Sequence, residues 1–556
     1  MNRRGLVDKY GPVLSSRVEE AQSHSRSATE MEKGGAVVDR VRSLVHECVG
    51  GFSVVCNDDN ASLQQLGCDS LSAARLGTRL RDLFALPPET SSIFGVSFLL
   101  SNSGTVMKIS ERVEACLQEC RNGVIDLAKV KSVVEDRNGE PGRVGKSEEE
   151  AIQEMRHDMK LSSWFSLDEL QVESHSHVDA AQDIKSVLLT GATGFLGLHL
   201  LAHMLLHTQW TVYCIVRGKS ESQAKRKLLE SLRDAIGEPG GGRVDTRNLQ
   251  SRVTCLKGDI GVDYFGITQS KYKNLCTTID LVLHCAAQVN HVLSYAALRT
   301  ANVVGTINIL RLLLEGRRAK RKMGIVHIST VGVITKDMIL QSEGEAVVLE
   351  APLGDDPSLL RRHNGYGQSK WVSEKLVDEL WQHGHISSCS IYRPAFIAGH
   401  SSSGHCNPSD TVTRLMCSMC ELNAFPVSEE SDSELVLDMS PVDYVSLGII
   451  ASASQVRASQ LIMERSTSAQ SRSSAPVFHT IHPHHLVSVE DIASACKEQG
   501  YRVEGMREKI WRNRVLDNEN SFRPLAGSSP NHQIASHMYP LLVLNTFKLF
   551  SSSYFI

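Results

Sequence analysis

The chain has 556 residues, 41% hydrophobic and 22% charged, with a formal net charge of −4. That length exceeds one hydrophobic core and predicts several domains, while the near-neutral balance gives no reason to expect nucleic acid or an anionic membrane as partner. Fourteen scattered cysteines behind a polar N-terminus read as reduced thiols of a cytoplasmic protein, and no apolar run reaches the ~18 residues of a membrane span. Residues 1–34 are polar and helix-leaning, with no core of their own. Over 35–118 the pattern is that of a small all-α, four-helix domain: Val37, Val38, Val41, Leu44 and Val45 share one helix face. Asp69 and Ser70 then stand at a second helix start, Leu71, Ala74, Leu76 and Leu80 continue its apolar stripe, and Leu86-Pro87-Pro88 ends it.

The run Leu66-Gly67-Cys68-Asp69-Ser70-Leu71 resembles the motif of carrier proteins around a phosphopantetheine serine. The resemblance makes Ser70 the attachment site of a 4′-phosphopantetheine arm, a helix N-terminus being suited to the phosphodiester formed there. A plain N-cap is the alternative for a lone Asp-Ser pair; the flanking leucines, the glycine and the following helix favour the carrier. Residues 119–183 read as a linker, rich in glycine and charge over Arg137–Lys146. Within it, Glu148 to Met159 predicts a short charged helix, and Leu161 to Leu170, with Trp164 and Phe165, a docking segment.

From 184 to 525 the pattern predicts an α/β, Rossmann-like doubly wound parallel sheet, with a C-terminal substrate subdomain over about 400–525. Val187–Leu189 is a buried strand, and Thr190 to Gly197 breaks it with G-x-x-G-x-x-G before apolar residues resume at helical spacing. Gly191 permits the tight turn, Gly194 a close main-chain approach to a pyrophosphate, and Gly197 close helix–strand packing; the turn around Thr193 leads into Phe195 and Leu196, whose amides open the helix. This spacing resembles the short-chain dehydrogenase/reductase superfamily. Thr211–Val216 is the second strand. Arg217 follows it where an acid would hold an NAD ribose, which points to the 2′-phosphate of NADPH. Lys225, Arg226 and Lys227 close on that phosphate or form a solvated helix face. Asp259 and Ile260 resemble the positions that flank adenine in the superfamily. Cys285, Ala286 and Ala287 end another buried strand with side chains small enough for a cofactor to pass. Asn302 braces the site or caps a helix.

Gly324 to Thr330 is a strand ending in hydroxyls, and Tyr366 and Lys370 form Y-x-x-x-K on one helical face. Tyrosine is a poor acid–base group near neutrality unless a neighbouring ammonium lowers its pKa, so Lys370 is expected to do this. By superfamily position Thr330, rather than Ser329, holds the substrate oxygen, Tyr366 donates the proton and Lys370 holds the nicotinamide ribose. Ile391 to Gly399, with Pro394 and Phe396, resembles the strand and loop covering the nicotinamide. Pro441-Val-Asp-Tyr444, Phe478-His479, Gly500-Tyr501, Trp511 and Arg523-Pro-Leu525 resemble positions of the substrate side. Cys417-x-x-Cys420 and the histidines around Pro483 lack the spacing of a metal site. Residues 526–556 form a tail.

Together these motifs resemble the C-terminal part of carboxylic acid reductases, α-aminoadipate reductases and reductase-terminated nonribosomal peptide synthetases. The resemblance implies that an acyl thioester on the carrier arm is reduced by NADPH through a hemithioacetal to an aldehyde, with a second hydride giving an alcohol. It also implies a phosphopantetheinyl transferase as partner and, since no adenylation motif is present, an acyl-loading enzyme acting in trans or a longer gene product. A stand-alone extended dehydrogenase or epimerase on a nucleotide sugar would share everything after 184 but needs no carrier; a non-catalytic carrier scaffold would need no Tyr366 or Lys370.

Overall fold

A computed structural model describes residues 34–49, much of 59–121, 148–170, 183–236 and most of 251–507, together with Ile510, Trp511 and Arg514. The N-terminal segment, the middle of the linker, Leu66, Gly67, Asp69, Arg523–Leu525 and the tail lie outside these residues. The chain divides into two compact units, Met1–Val144 and Gly145–Ile556.

The first unit is helical in its described residues: α1 (Gly34–Val49), α2 (Ser70–Leu83), a short turn of helix at Val96–Leu99, and α3 (Val106–Arg121). Val37, Val41, Leu44 and Val45 of α1 are buried with Leu76 and Leu80 of α2 and Ile109, Val113 and Cys116 of α3. This is the outcome of one apolar stripe per helix. Ser70 is the first residue of α2. The third helix runs three residues past the expected domain end at 118.

The second unit is built on a seven-stranded sheet whose strand pairs are all parallel. Its strands are β1 (Ser186–Thr190), β2 (Thr211–Val216), β3 (Val253–Lys257), β4 (Leu281–His284), β5 (Gly324–Ile328), β6 (Ser388–Pro394) and β7 (Val477–Thr480). Their spatial order is β7-β6-β5-β4-β1-β2-β3, so the order reverses between β1 and β4. Alternate strand residues feed two cores. Leu188, Ile215, Val282, Ile325 and Ile391 face one side, with the helices Gln269–Thr278, Gly305–Arg318 and Gly365–Gln382. Val187, Leu189, Val212, Cys214, Leu283 and Val326 face the other, with Phe195–His207, Glu221–Ile236 and Val442–Ser466. A sheet covered on both faces needs apolar residues at every strand position, which explains the unbroken runs. The stretch Tyr295–Arg318 is long and apolar enough to cross a bilayer, yet two-thirds of its apolar 18-residue window is buried within the protein (67%).

Residues 148–170 depart from the linker assignment. Helix Glu148–Asp158 and the segment after it insert Ile152, Met155, Leu161 and Phe165 into the first of the two cores. Asp158 locks them there. Its carboxylate is fully buried and accepts hydrogen bonds from Tyr295 Oη (2.7 Å) and from Arg299 Nε and Nη2 (2.5 and 2.7 Å). The docking expected for Trp164 and Phe165 is thus one part of a longer embrace: Trp164 Nε1 donates to the Asp158 carbonyl (2.8 Å), and Arg299 stacks on its ring.

Beyond the sheet, Phe396–Ala398 pairs with Met439–Pro441, and Ala424–Val427 with Glu504–Arg507. Helices Thr411–Leu422 and Val489–Glu498 pack over them around Met416, Met419, Ile492 and Val503. Cys417 and Cys420 are buried on the first of these helices, and among the described residues no group of His, Cys, Asp or Glu is arranged to hold a metal ion.

Candidate active site

The candidate residues converge on the carboxyl edge of the sheet, around the β1–β4 reversal where doubly wound folds form their crevice. Gly191, directly after β1, has φ +75°, and a Cβ there would lie 2.8 Å from the Ala286 amide nitrogen. Only glycine combines that conformation with that approach. A Cβ on Gly197 would collide with the Gly191 carbonyl oxygen. Gly194 caps the helix Phe195–His207 without a side-chain hydrogen bond, so among the described residues no capping side chain engages the first-turn amides of Phe195, Leu196 and Gly197. Thr193 and Gly194 flank this opening, half-buried and exposed. A glycine cradle and a bare helix start fit the pyrophosphate of a dinucleotide.

Behind the cradle runs one chain of hydrogen bonds. The Ala286 amide donates to Thr190 Oγ1 (3.1 Å), which lies 2.8 Å from His284 Nδ1; His284 Nε2 lies 3.0 Å from Thr306 Oγ1, and that hydroxyl donates to the Asn302 carbonyl (2.7 Å). Because the Thr306 proton is committed to Asn302, its oxygen accepts from His284 Nε2–H, and Nδ1 accepts from Thr190. Burial, with Lys370 adding, holds His284 down at about 3, so the imidazole is neutral as this pattern requires.

Asn302 sits in a π-helical turn, Thr300–Val304, ahead of Gly305–Arg318. Its side chain accepts from the Gln288 amide (2.7 Å) and donates to the Gln288 carbonyl (3.2 Å) and to Ser369 Oγ (2.9 Å). These bonds join the loop that carries Cys285, Ala286 and Ala287 to the helix that carries Tyr366 and Lys370.

Tyr366 and Lys370 lie on Gly365–Gln382, started by Asn364, whose side chain accepts from the Gly367 amide. The helix sits close on the turn after β5: a Cβ on Gly367 would be 2.5 Å from the Gly332 carbonyl oxygen. Lys370 is 1% exposed. Its amine is 3.3 Å from His327 Nε2, and burial pushes it down to about 8 against opposing pulls from Cys285 and Glu374. Burial pushes the Tyr366 phenol up, with Cys285 adding to the rise. The expected lowering of Tyr366 by Lys370 is therefore not found; desolvation is the largest influence on the phenol. Cys285, half-buried, is itself pushed up to about 12 by burial and stays a thiol.

Thr330 and Ser329 sit in different surroundings. Thr330 is half-buried and its Oγ1 accepts from the Gly332 amide (3.1 Å), while the Ser329 hydroxyl is buried with no hydrogen-bond partner among the described residues. Pro394 ends β6 in the core, and Phe396 beyond it is 38% exposed. On the other flank, Arg217 is exposed just past β2. Asp259 Oδ1 accepts from the Gly261 amide (2.9 Å), and Ile260 packs on Gly305. Arg226 and Lys227 are exposed on Glu221–Ile236, where Arg226 pairs with Glu230 (3.9 Å).

Several residues of this edge give no signal in the sequence beyond being polar within apolar strands. Arg393, fully buried on β6, forms an ion pair with Glu374, one turn beyond Lys370. His284 and His327 each precede the end of an otherwise apolar stretch, and that break in hydropathy was the available clue. On the substrate side, Asp443 of the Pro-Val-Asp-Tyr run accepts from the Ser401 amide (2.9 Å) and hydroxyl (2.5 Å). Phe478 stacks on Tyr392, His479 lies 3.4 Å from Arg393 Nη1, and Trp511 Nε1 donates to the Ala424 carbonyl (3.1 Å).

Residues 189–449 match the family model described as NAD_binding_4, male sterility protein. The chain is 34% identical over 298 residues to glycine betaine reductase ATRR of Emericella nidulans, covering 53% of this chain and 22% of that protein. It is 30% identical over 354 residues to the large subunit of L-2-aminoadipate reductase of Eremothecium gossypii, covering 61% and 23%. The chain thus spans less than a quarter of either relative's length. Its fold is also that of the terminal R domain of the myxalamid PKS-NRPS pathway, with TM-score 0.53, 24% identity, and coverage of 72% of this chain and all of that one (100%).

Proposed function

We propose, for a chain whose residues 189–449 match the family model described as NAD_binding_4, male sterility protein, that it reduces an acyl thioester carried on its own phosphopantetheine arm and releases an aldehyde. The observation that carries this reading is the convergence through Asn302 of three parts: the glycine cradle, the small-residue loop after β4 and the Tyr366–Lys370 face. The carrier motif ending at Ser70 and Leu71, with Ser70 first in its helix, supports the tethered cargo. It favours this reading over a nucleotide-sugar epimerase, which would need no arm.

The residues divide the work by chemistry. The bare amides of Phe195, Leu196 and Gly197 would hold the pyrophosphate of NADPH, and Asp259 and Ile260 would flank its adenine. Arg217 supports a 2′-phosphate and thus NADPH over NADH. A bound reduced nicotinamide supplies a hydride to the carbonyl carbon. Thr330 and Tyr366 would hold the carbonyl oxygen, and Tyr366, kept protonated by burial, gives its proton as charge develops there. Lys370 would hold the nicotinamide ribose. The carbon–sulfur bond breaks, and the carrier leaves as a thiol carrying the proton. A phosphopantetheinyl transferase would attach the arm, and the acyl group would be loaded by an enzyme acting in trans or by a further part of a longer gene product.

Two measurements test the parts separately. Incubation with coenzyme A and a phosphopantetheinyl transferase should add one phosphopantetheine mass at Ser70 and none to Ser70→Ala. Calorimetric titration should give an NADPH affinity that falls about tenfold in Arg217→Ala, on the order of one charge-assisted contact, with NADH binding unchanged. No mass gain at Ser70 would sink the carrier reading.

A further inference from the structure

We propose that His327 is a positioning residue for Lys370, holding its amine in place as a cation through the imidazole Nε2. The inference deepens the reading of Lys370 as the residue that grips the nicotinamide ribose, and rests on it.

His327 lies one residue before the end of β5, between Val326 and Ile328, and is fully buried. A hydrocarbon side chain would suit this strand better on burial alone. Among the described residues its one hydrogen bond is to Lys370 Nζ (3.3 Å), and its Nδ1 has no partner. Its other ring neighbour, His284, lies 5.4 Å away between centroids and is already committed to Thr190 and Thr306. An ammonium offers only donors, so the contact requires the Nε2 lone pair and places the imidazole proton on Nδ1. An orphaned buried nitrogen calls for a compensating role, and the grip on Lys370 supplies it.

The surroundings show why the amine needs an acceptor. From the β4 side it meets Cys285, a thiol, and His284, neutral; from β6 comes Arg393, already paired with Glu374 on Lys370's own helix. Tyr366 on that helix is protonated, and Tyr295 and Arg299 from the helix before it are taken up by Asp158. Among the described residues Glu374 is thus the one carboxylate whose charge favours the Lys370 cation, and it is shared with Arg393. Burial drives the amine toward neutrality, and His327 opposes it.

The test compares His327→Leu, which keeps the apolar strand, with His327→Gln, whose carboxamide oxygen can accept. The titration of Lys370 is followed by lysine side-chain NMR on the full chain, with Lys370→Gln assigning the resonance. The pH profile of kcat/KM for NADPH-dependent thioester reduction is recorded alongside. Loss of a hydrogen bond to a charged donor should move the Lys370 titration, and the alkaline limb with it, about one to two pH units toward acid in His327→Leu. His327→Gln should stay within about half a unit of the native chain. An unshifted titration in His327→Leu, or equal shifts in both variants, overturns the proposal. If the native chain reduces no thioester but its Lys370 titration shifts as described, the functional reading fails while the His327–Lys370 coupling stands.

Discussion

The Asn302 carboxamide nitrogen lies 2.9 Å from the Ser369 hydroxyl, which in turn donates to the Tyr366 carbonyl (2.9 Å). A residue in a π-turn on one helix thereby sets the height of the helix that carries both candidate catalytic side chains. The same carboxamide holds Gln288, so the loop after β4 and the Tyr366 helix cannot shift independently.

Asn302→Ala would leave the buried Ser369 hydroxyl and the Gln288 amide short of a partner. The expected cost is about 2 kcal/mol or more of stability, with NADPH-driven turnover falling more than NADPH affinity, because the disturbed geometry is that of Tyr366. Urea unfolding and steady-state kinetics check this. Equal losses in affinity and turnover would instead place Asn302 with the cofactor alone.

Gly191 and Gly384 provide a matched pair, with φ +75° and +72°. A Cβ at Gly384 meets nothing within 4 Å, whereas one at Gly191 meets the Ala286 backbone. Gly384→Ala should cost about 1–2 kcal/mol from left-handed strain alone and leave dinucleotide binding unchanged. Gly191→Ala should cost more and abolish binding. Thermal melts with and without NADPH separate the two effects.

Asp158 makes the packing of residues 148–170 pH-dependent. Burial pushes its carboxyl up, but the hydrogen bonds from Arg299 and Tyr295 outweigh this and hold it below its ordinary value. A carboxyl depressed in the folded state contributes stability that is present above the unfolded pKa of about 4 and is lost as pH falls through the folded value. Asp158→Asn should remove about 3–5 kcal/mol at neutral pH, the cost of breaking a buried pair, and should flatten the acid limb. Denaturant unfolding between neutral pH and about 3 reads both. An acid limb unchanged in the variant would assign it to other carboxylates.

Much of the second unit was legible because its strands are buried on both faces and read as apolar runs, and because glycine turns and Y-x-x-x-K act through local spacing. The embrace of 148–170 was only partly legible, since Asp158 meets Arg299 across 141 positions of sequence, a distance over which no local period carries information. Helical spacing places Tyr366 and Lys370 on one face but says nothing of depth, and depth is what raises the phenol and lowers the amine. The same limit applies to Arg226, whose helix face the basic cluster alone could not assign. His284, His327 and Arg393 are illegible for a converse reason: a polar residue inside an apolar strand announces an exception without naming its partner.

The most direct test of the account is a single turnover by the full chain loaded with an acyl-phosphopantetheine. A phosphopantetheinyl transferase and a panel of acyl-coenzyme A donors would supply the cargo, and NADPH absorbance and released aldehyde would be followed together. The account predicts one NADPH oxidised per loaded chain with stoichiometric aldehyde, and neither signal from Ser70→Ala or Tyr366→Phe. Aldehyde formation that persists in Ser70→Ala, or a fully loaded chain that leaves NADPH unconsumed across the panel, would contradict it.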